Sequence, residues 1–245
     1  MSVTDRCVLL EACVASVADA VAAVQNGAQR LELNVGIELG GLTPTLGLLE
    51  QTKEAVDVPV LVMIRVRGGG FCYTPSERRL MIRDAHALLE LGADGVVTGA
   101  LTSQGEPDTR LIEDMRNVCR ERELVFHMAF DLLKNSEQAL EQMIGLRVNR
   151  ILTAGQQRTA LAGQEVISNL VDKSKGRIEV LPGGGVNAEN VRELLMRTGC
   201  SQVHGTFKVM RNDPAGNVCS GQYPALDTNQ IRLVSEELDR YHAES

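Results

Sequence analysis

Short apolar runs alternate with longer amphipathic stretches along the whole chain. Eight of the runs are rich in Val, Leu and Ile, as buried parallel strands are, and each precedes a segment with helical periodicity. The predicted strands lie at about residues 8–14, 28–35, 59–66, 94–100, 123–130, 150–154, 177–182 and 202–207. Eight successive βα units in 245 residues predict a (β/α)8 barrel of the α/β class.

The links between units support a barrel rather than an open doubly wound sheet. Helical segments end in Gly shortly before the next apolar run, as in "NGAQRLEL" and "LGADGVVT", which is typical of a short helix-to-strand return. No GxGxxG turn follows the first strand, where a dinucleotide-binding sheet would carry one. We therefore expect a single domain over residues 1–245, with a long loop at about 210–227 before the last helix.

Composition and net charge limit the kinds of partner that this protein is expected to bind. With 44% hydrophobic and only 3% aromatic residues, the core must be built mainly from aliphatic side chains. A formal net charge of −7 without a long basic run argues against nucleic acid as a partner. The chain has no apolar stretch approaching about 18 residues and no signal-like N-terminus, so we predict a cytoplasmic protein that does not enter the membrane.

Single cysteines are scattered through the chain. Their spacing fits neither zinc sites nor a disulfide framework, and we expect most of them to be buried reduced thiols. They are Cys7, Cys13, Cys72, Cys119, Cys200 and Cys219.

Two predicted strands carry polar side chains where apolar ones are expected. "LEACV" places Glu11 and Cys13 on one face, and "LELNV" places Glu32 and Asn34 on one face. A carboxylate turned toward the helix layer would lose its hydration without a partner. These side chains are therefore predicted to point into the barrel near its C-terminal mouth, where barrel enzymes place their chemistry.

Other strand ends add polar groups to the same mouth. In "VMIRVRGGGF" the alternate positions are Met63, Arg65 and Arg67, and "VFHMAFD" contributes His127 and Asp131. "PGGGVNAEN" ends a strand in a glycine turn that opens a helix, a geometry suited to anions. The predicted proton-transfer groups are Glu11, Glu32, His127 and Asp131. The predicted anion-binding groups are Arg65, Arg67, Gly183, Gly184, Gly185 and His204, the last of which aligns with Glu32.

Each of these residues also has a structural interpretation. Glu11 and Glu32 could form buried ion pairs with Arg65 and Arg67, because buried charges need partners whatever their function. His127 could be a hydrogen-bonded core histidine, and both glycine runs could be simple tight turns.

The motifs "LEACV", "GAQRLELN", "GGLTPTLGLLE", "PVLVMIRVRGGGFCYT", "GADGVVTGALTSQGEPD", "FHMAFD", "RILTAGQ" and "PGGGVNAENV" together resemble the CutC family of copper homeostasis proteins. The resemblance runs from about residue 8 to residue 207. It implies a cytoplasmic TIM barrel, self-associating as a homo-oligomer and linked to copper handling. Carried over residue by residue, the family pattern covers Glu11, Cys13, Glu32, Arg65, Arg67, His127, Asp131, Gly183 to Gly185 and His204.

The chain departs from the family pattern at four places. The family usually has Cys at Asn34, Pro at Val66, Arg at Met128 and "HxSAR" at residues 204–208. Loss of the cysteine matters most, because Cu(I) prefers soft sulfur ligands. Cys13 and Met63 remain as candidate ligands for Cu(I), with Cys72 as a possible substitute.

Three functions remain open at this level. The first is copper handling through Cu(I) at Cys13 and Met63. The second is an enzyme that acts on a small anionic or phosphorylated metabolite by general acid/base chemistry. The third is an interaction scaffold, which would not need so polar a mouth.

Overall fold

A computed structural model describes residues 8–214 and 221–244. Eight strands of this part of the chain form one parallel sheet. They are β1 (Leu9–Val14), β2 (Arg30–Leu33), β3 (Val60–Met63), β4 (Gly95–Thr98), β5 (Glu123–Phe126), β6 (Arg150–Thr153), β7 (Glu179–Pro182) and β8 (Gln202–Gly205). All eight lie where the apolar runs predict them.

A helix follows each of these strands. The helices are α1 (Val17–Gln25), α2 (Leu46–Ala55), α3 (Pro75–Glu90), α4 (Thr109–Cys119), α5 (Ser136–Gly145), α6 (Gln164–Ser174), α7 (Val191–Thr198) and α8 (Thr228–Glu244). Short 3-10 helices at Ile37–Leu39 and Met128–Leu132 follow β2 and β5.

The sheet closes on itself. Its strand order is β7-β6-β5-β4-β3-β2-β1-β8, and a parallel bridge between Gly183 and His204 joins the two ends. The predicted (β/α)8 barrel is therefore confirmed. Because every strand is parallel, all eight carboxyl ends meet at one mouth.

Alternation along the strands divides the core into two parts. One set of strand side chains packs against the helices, for example Leu10, Leu31 and Val62. The opposite set fills the barrel interior with an apolar layer made of Leu61, Met63, Val97, Val125, Leu152 and Leu181. β1, β2 and β8 add no side chain to this interior apolar layer. Polar residues occupy the space there and form the base of the mouth.

Local signals fix where the helices begin around the mouth. Thr74 and Glu77 form a reciprocal capping box at the start of α3, with Pro75 in its first turn. Ser16 caps α1 by accepting a hydrogen bond from the N–H of Asp19 at 3.0 Å. These caps define where the β1–α1 and β3–α3 loops end.

The segment after β8 differs from its prediction. Within the range predicted as a loop at about 210–227, the described residues form an antiparallel pair, β9 (Lys208–Asn212) and β10 (Gln222–Leu226). The intervening residues 215–220 lie outside the described part. The segment "KVMRN" does not alternate between apolar and polar residues, and Gly, Pro and Asn follow it, so the sequence carried no clear strand signal here.

Four cysteines fall within the described residues, and all four are free thiols. Cys13, Cys119 and Cys200 are buried, whereas Cys72 is exposed. Cys7 and Cys219 lie outside the described residues. No described helix has the length and apolar character that crossing a membrane requires.

Candidate functional site at the barrel mouth

A cavity of about 220 Å³ opens at the C-terminal ends of the strands. Its wall combines acidic, basic, sulfur-bearing and aromatic side chains. The lining residues are Cys13, Glu32, Asn34, Ile37, Gly40, Gly41, Met63, Arg65, Phe71, His127, Met128, Leu152, His204, Thr206 and Lys208. The cavity brings together six of the predicted site residues and Asn34, the position where the family usually has Cys. The six are Cys13, Glu32, Met63, Arg65, His127 and His204.

Glu11 lies beneath this cavity and has a partner on each oxygen. Oε1 accepts a hydrogen bond from His204 Nδ1 at 2.8 Å, and Oε2 pairs with Arg30, its neighbour in register on β2. Burial acts to raise the pKa of Glu11, but the hydrogen bond from His204 and the charge of Arg30 outweigh it and lower this pKa to about 2.

The same contact determines the charge of His204. Burial acts to lower the pKa of His204, but the hydrogen bond to Glu11 and the negative charge of Glu32 raise it. Glu11 therefore stabilises an imidazolium at His204. Since Nδ1 is bonded to Glu11, Nε2 is the ring nitrogen left to face the cavity.

The side-chain amide of Asn34 contacts both Glu32 and Cys13. Its Nδ2 donates to Glu32 Oε1 at 2.9 Å and lies 3.3 Å from Cys13 Sγ. Burial raises the pKa of Glu32, and the charge of Glu11 adds to the effect. Burial, together with the charges of Glu32 and Glu11, raises the pKa of the Cys13 thiol well above its usual value. Cys13 is thus held as a neutral thiol.

Arg65 and His127 also line the cavity. Arg65 Nη1 donates to the carbonyls of Leu39 at 2.7 Å and Gly41 at 3.0 Å, which turns its side chain inward beyond the end of β3. His127 Nδ1 accepts from the N–H of Ala129 at 3.1 Å. Burial, followed by the charge of Arg65, lowers the pKa of His127 to about 3, so this ring is neutral.

Buried polar atoms without a hydrogen-bond partner cluster at this cavity. Among the described residues, four such atoms belong to side chains of the lining: Glu32 Oε2, Asn34 Oδ1, Arg65 Nε and His127 Nε2. An unsatisfied buried polar group costs about 1–3 kcal/mol, so a cluster of them indicates a place where a ligand or water supplies the partners.

Arg67 does not join the cavity. It pairs with Glu77 at 2.5 Å, donates to the carbonyls of Gly70 at 2.7 Å and Cys72 at 2.9 Å, and its guanidinium carbon lies 5.1 Å from the centre of the Tyr73 ring. β3 ends at Met63, so the strand alternation that suggested a shared face with Arg65 no longer applies at this position. The contacts of Arg67 are those of a residue that organises the β3–α3 loop.

The carboxylate of Asp131 also fixes a loop through hydrogen bonds. It accepts hydrogen bonds from the hydroxyl of Thr153, from the N–H of Ala154 at 2.8 Å and from the N–H of Gln156 at 2.9 Å. Asp131 lies in the 3-10 helix after β5, where a two-residue repeat does not describe side-chain direction. Its oxygens tie this segment to the loop after β6 and are not part of the cavity lining.

The glycine turn after β7 borders a second cavity. Gly184 and Gly185 line a space of about 240 Å³ that shares Met128, His204, Thr206 and Lys208 with the first cavity. Arg65, Arg67 and the glycine turn are therefore not brought together as the single anion site that the sequence suggested. In the described structure, the basic residue beside these glycines is Lys208.

Sequence reasoning missed a charged layer beneath the cavity. Arg150 pairs with Glu123 at 2.8 Å and with Glu179 at 2.7 Å, and Arg30 donates to Gln202 at 2.6 Å. A signal for this layer was present, because Arg30, Arg150 and Gln202 all stand at the first residue of a strand. It was overlooked because charges at strand starts usually face solvent.

One group of side chains has the spacing of a metal site. Possible ligand atoms of Glu11, Glu32 and His204 lie within 4.8 Å of one another. However, both oxygens of Glu11 and Nδ1 of His204 are already used in hydrogen bonds. A metal ion at this triad would have to break these bonds, so the softer donors Cys13 and Met63 fit Cu(I) better.

Comparison with known proteins shows the family of this chain. The model of the CutC family matches residues 8–209. The chain belongs to the CutC family. The human copper homeostasis protein cutC homolog is 41% identical over 204 residues, which cover 83% of this chain and 75% of that protein. A CutC family protein of Treponema denticola is 39% identical over 206 residues, which cover 84% of each chain.

Solved structures agree with the family and with the barrel. The crystal structure of CutC from Streptococcus agalactiae matches with a TM-score of 0.78 and 34% identity, covering 81% of this chain and 98% of that chain. Phosphoribosyl anthranilate isomerase from Thermotoga maritima matches with a TM-score of 0.58 and 14% identity over 95% of this chain and 99% of that one. At that identity the second likeness shows the barrel fold alone.

Proposed function

We propose that this CutC family chain takes part in copper handling through one weak Cu(I) site in the mouth cavity. The observation that supports this proposal is that Cys13 and Met63, a thiol and a thioether, line the same cavity. Cu(I) prefers such soft ligands. The cytoplasmic location and the self-association expected from the sequence belong to this proposal.

Two features of the wall make the site weak. Copper binds the thiolate, so the proton of Cys13 must leave, and burial and two nearby carboxylates raise the pKa of this thiol. The neighbour of Cys13 is Asn34, and an amide is a poor ligand for Cu(I). A second thiol at position 34 would supply the missing soft donor.

Competition titration with a Cu(I) chelator tests this proposal. We expect at most one Cu(I) per chain, binding that is lost in Cys13→Ser, and an affinity at least about tenfold higher in Asn34→Cys. Cys119→Ser is the matched control, because Cys119 is a buried thiol of α4 outside the barrel interior. Tight copper binding that persists in Cys13→Ser would contradict the proposal.

A second function is favoured by the four partnerless polar atoms of the cavity wall. They support an enzyme that binds a small polar metabolite and moves a proton on it, with Glu32 as the acid/base group. The cavity does not suit a large ligand, since its volume of about 220 Å³ is below the roughly 300–1,000 Å³ of drug-sized sites. It does not suit a purely apolar ligand either, because such a ligand would leave the four polar atoms without partners.

Binding of pyruvate, measured by saturation-transfer NMR, tests this second function. We expect Arg65→Lys to weaken binding at least about tenfold, because the substitution keeps the charge but removes the Nε donor. Arg67→Lys is the matched control and should leave binding unchanged, since Arg67 lies outside the cavity. Equal affinities in the two variants would rule out a ligand site at Arg65.

A further inference from the structure

The lining of the mouth cavity offers two opposite kinds of hydrogen-bonding group, donors and acceptors. Arg65 and His127 both pack against Phe71, with the guanidinium carbon 5.1 Å and the imidazole centre 4.9 Å from the ring centre. These two residues, which both line the cavity, are called the Phe71 side of its lining. Glu32 and Asn34, hydrogen-bonded to each other, belong to the wall formed by β1 and β2.

The free atoms on the Phe71 side are donors. A neutral imidazole whose Nδ1 accepts a hydrogen bond carries its hydrogen on Nε2, and His127 Nδ1 accepts from Ala129. Nε of Arg65 also carries a hydrogen. Both atoms are buried without a partner. Both residues line the cavity, which makes the two N–H groups candidate donors to an oxygen atom of a ligand.

The unpartnered atoms of Glu32 and Asn34 are acceptors. Asn34 uses Nδ2 to bond Glu32 Oε1, which leaves Glu32 Oε2 and Asn34 Oδ1 without partners. A carboxylate oxygen can take a proton, and an amide oxygen can accept a hydrogen bond from a hydroxyl group. A complementary ligand therefore has an acceptor oxygen, an acidic hydrogen and a hydroxyl group.

A small α-hydroxycarbonyl compound has this arrangement of groups. We propose that the cavity catalyses enolisation of such a compound, with Glu32 as the base and with His127 and Arg65 as donors to the carbonyl oxygen. This inference rests on the enzyme function proposed above and names its substrate class and reaction. A neutral histidine is well suited to the role, because it polarises a carbonyl without giving up its proton.

The step balances without a further reactant. Glu32 Oε2 takes the proton from the carbon next to the carbonyl group, and the C–H electron pair forms a carbon–carbon double bond. The carbonyl π pair moves to oxygen, where His127 Nε2–H and Arg65 Nε–H stabilise the negative charge. Return of the proton from Glu32 to carbon regenerates the carbonyl compound.

Hydrogen exchange of hydroxyacetone in D2O, followed by proton NMR, tests this step. We expect wild-type protein to accelerate loss of the CH2OH carbon-bound hydrogens. Glu32→Gln, which keeps the acceptor for Asn34, should slow this exchange by at least about 100-fold, the low end for removal of a general base. His127→Gln should slow it by a similar factor, as expected for loss of one oxyanion donor.

Matched controls separate this inference from the enzyme proposal. Glu50→Gln changes an exposed carboxylate on α2 and should exchange hydroxyacetone as wild type does. Binding of hydroxyacetone is measured in parallel by saturation-transfer NMR. Binding without exchange above the Glu32→Gln level would overturn enolisation and leave the ligand site intact. Absence of both binding and exchange would overturn this inference together with the enzyme function.

Discussion

His127 should make the protein sensitive to mild acid. Its pKa is lowered from 6.5 to about 3 by burial and then by the charge of Arg65, so the folded protein does not protonate it at moderately acidic pH. The unfolded chain does protonate it. Below the unfolded pKa the unfolded state therefore binds more protons, and stability falls as pH decreases from 6.5 toward 3.

The size of the effect follows from these two values. Between about pH 7.5 and about pH 5, protonation of an unfolded histidine with a pKa of 6.5 favours unfolding by about 2 kcal/mol, while the folded ring stays neutral. Removing His127 removes this contribution. The loss of stability over this pH interval should thus be about 2 kcal/mol smaller in His127→Gln than in wild type, whatever the absolute stability of the variant.

Urea unfolding at the two pH values measures the difference. His86→Gln is the matched control, because His86 is exposed on α3 and its removal leaves the barrel interior unchanged. The proton resonances of the His127 ring give an independent check and should not titrate above about pH 4, one unit above the lowered pKa. If wild type and His127→Gln lost the same stability between the two pH values, the ring could not be the neutral, buried group described above.

Two further substitutions test residues below and beside the cavity. Arg30→Met should destabilise the fold by about 3 kcal/mol in urea unfolding, because it removes one of the two charged partners of the buried Glu11 carboxylate and leaves His204 as the other. Arg232→Met, at an exposed ion pair of α8, should change stability by less than about 1 kcal/mol. Asp131→Ala should cost about 3 kcal/mol by leaving several donors of the β6–α6 loop unsatisfied, while ligand binding in the cavity persists. Unchanged stability of Asp131→Ala together with lost binding would instead point to direct contact between Asp131 and the ligand.

The strands and the inner wall of the site could be predicted because one physical rule governs both. Parallel strands covered by helices are mostly apolar on both faces. A carboxylate within such a strand has no partner on the helix side, so it is expected to point into the barrel, where other polar groups meet it. Glu11 and Glu32 lie inside β1 and β2, and alternation along these strands correctly predicted their shared side with Cys13 and Asn34.

Prediction was incomplete where the chain leaves the strands, since Arg65 lines the cavity as expected but Arg67 and Asp131 do not. Arg65 and Arg67 both follow the end of β3, and only hydrogen bonds with other segments determine that Arg65 turns inward while Arg67 turns to Glu77. Asp131 is directed by the 3-10 helix that follows β5. Such orientations depend on partners distant in sequence, which a two-residue repeat cannot indicate.

The charged layer beneath the cavity explains how so many ionisable groups are tolerated inside the barrel. Arg30 stabilises the carboxylate of Glu11, and Glu11 in turn stabilises the imidazolium of His204. The positive charge of His204 opposes the rise in the pKa of Glu32 that burial and Glu11 cause. Charges thus alternate in sign from the base of the barrel to the cavity wall. The protonation state of Glu32 therefore depends on Arg30, a residue that does not line the cavity.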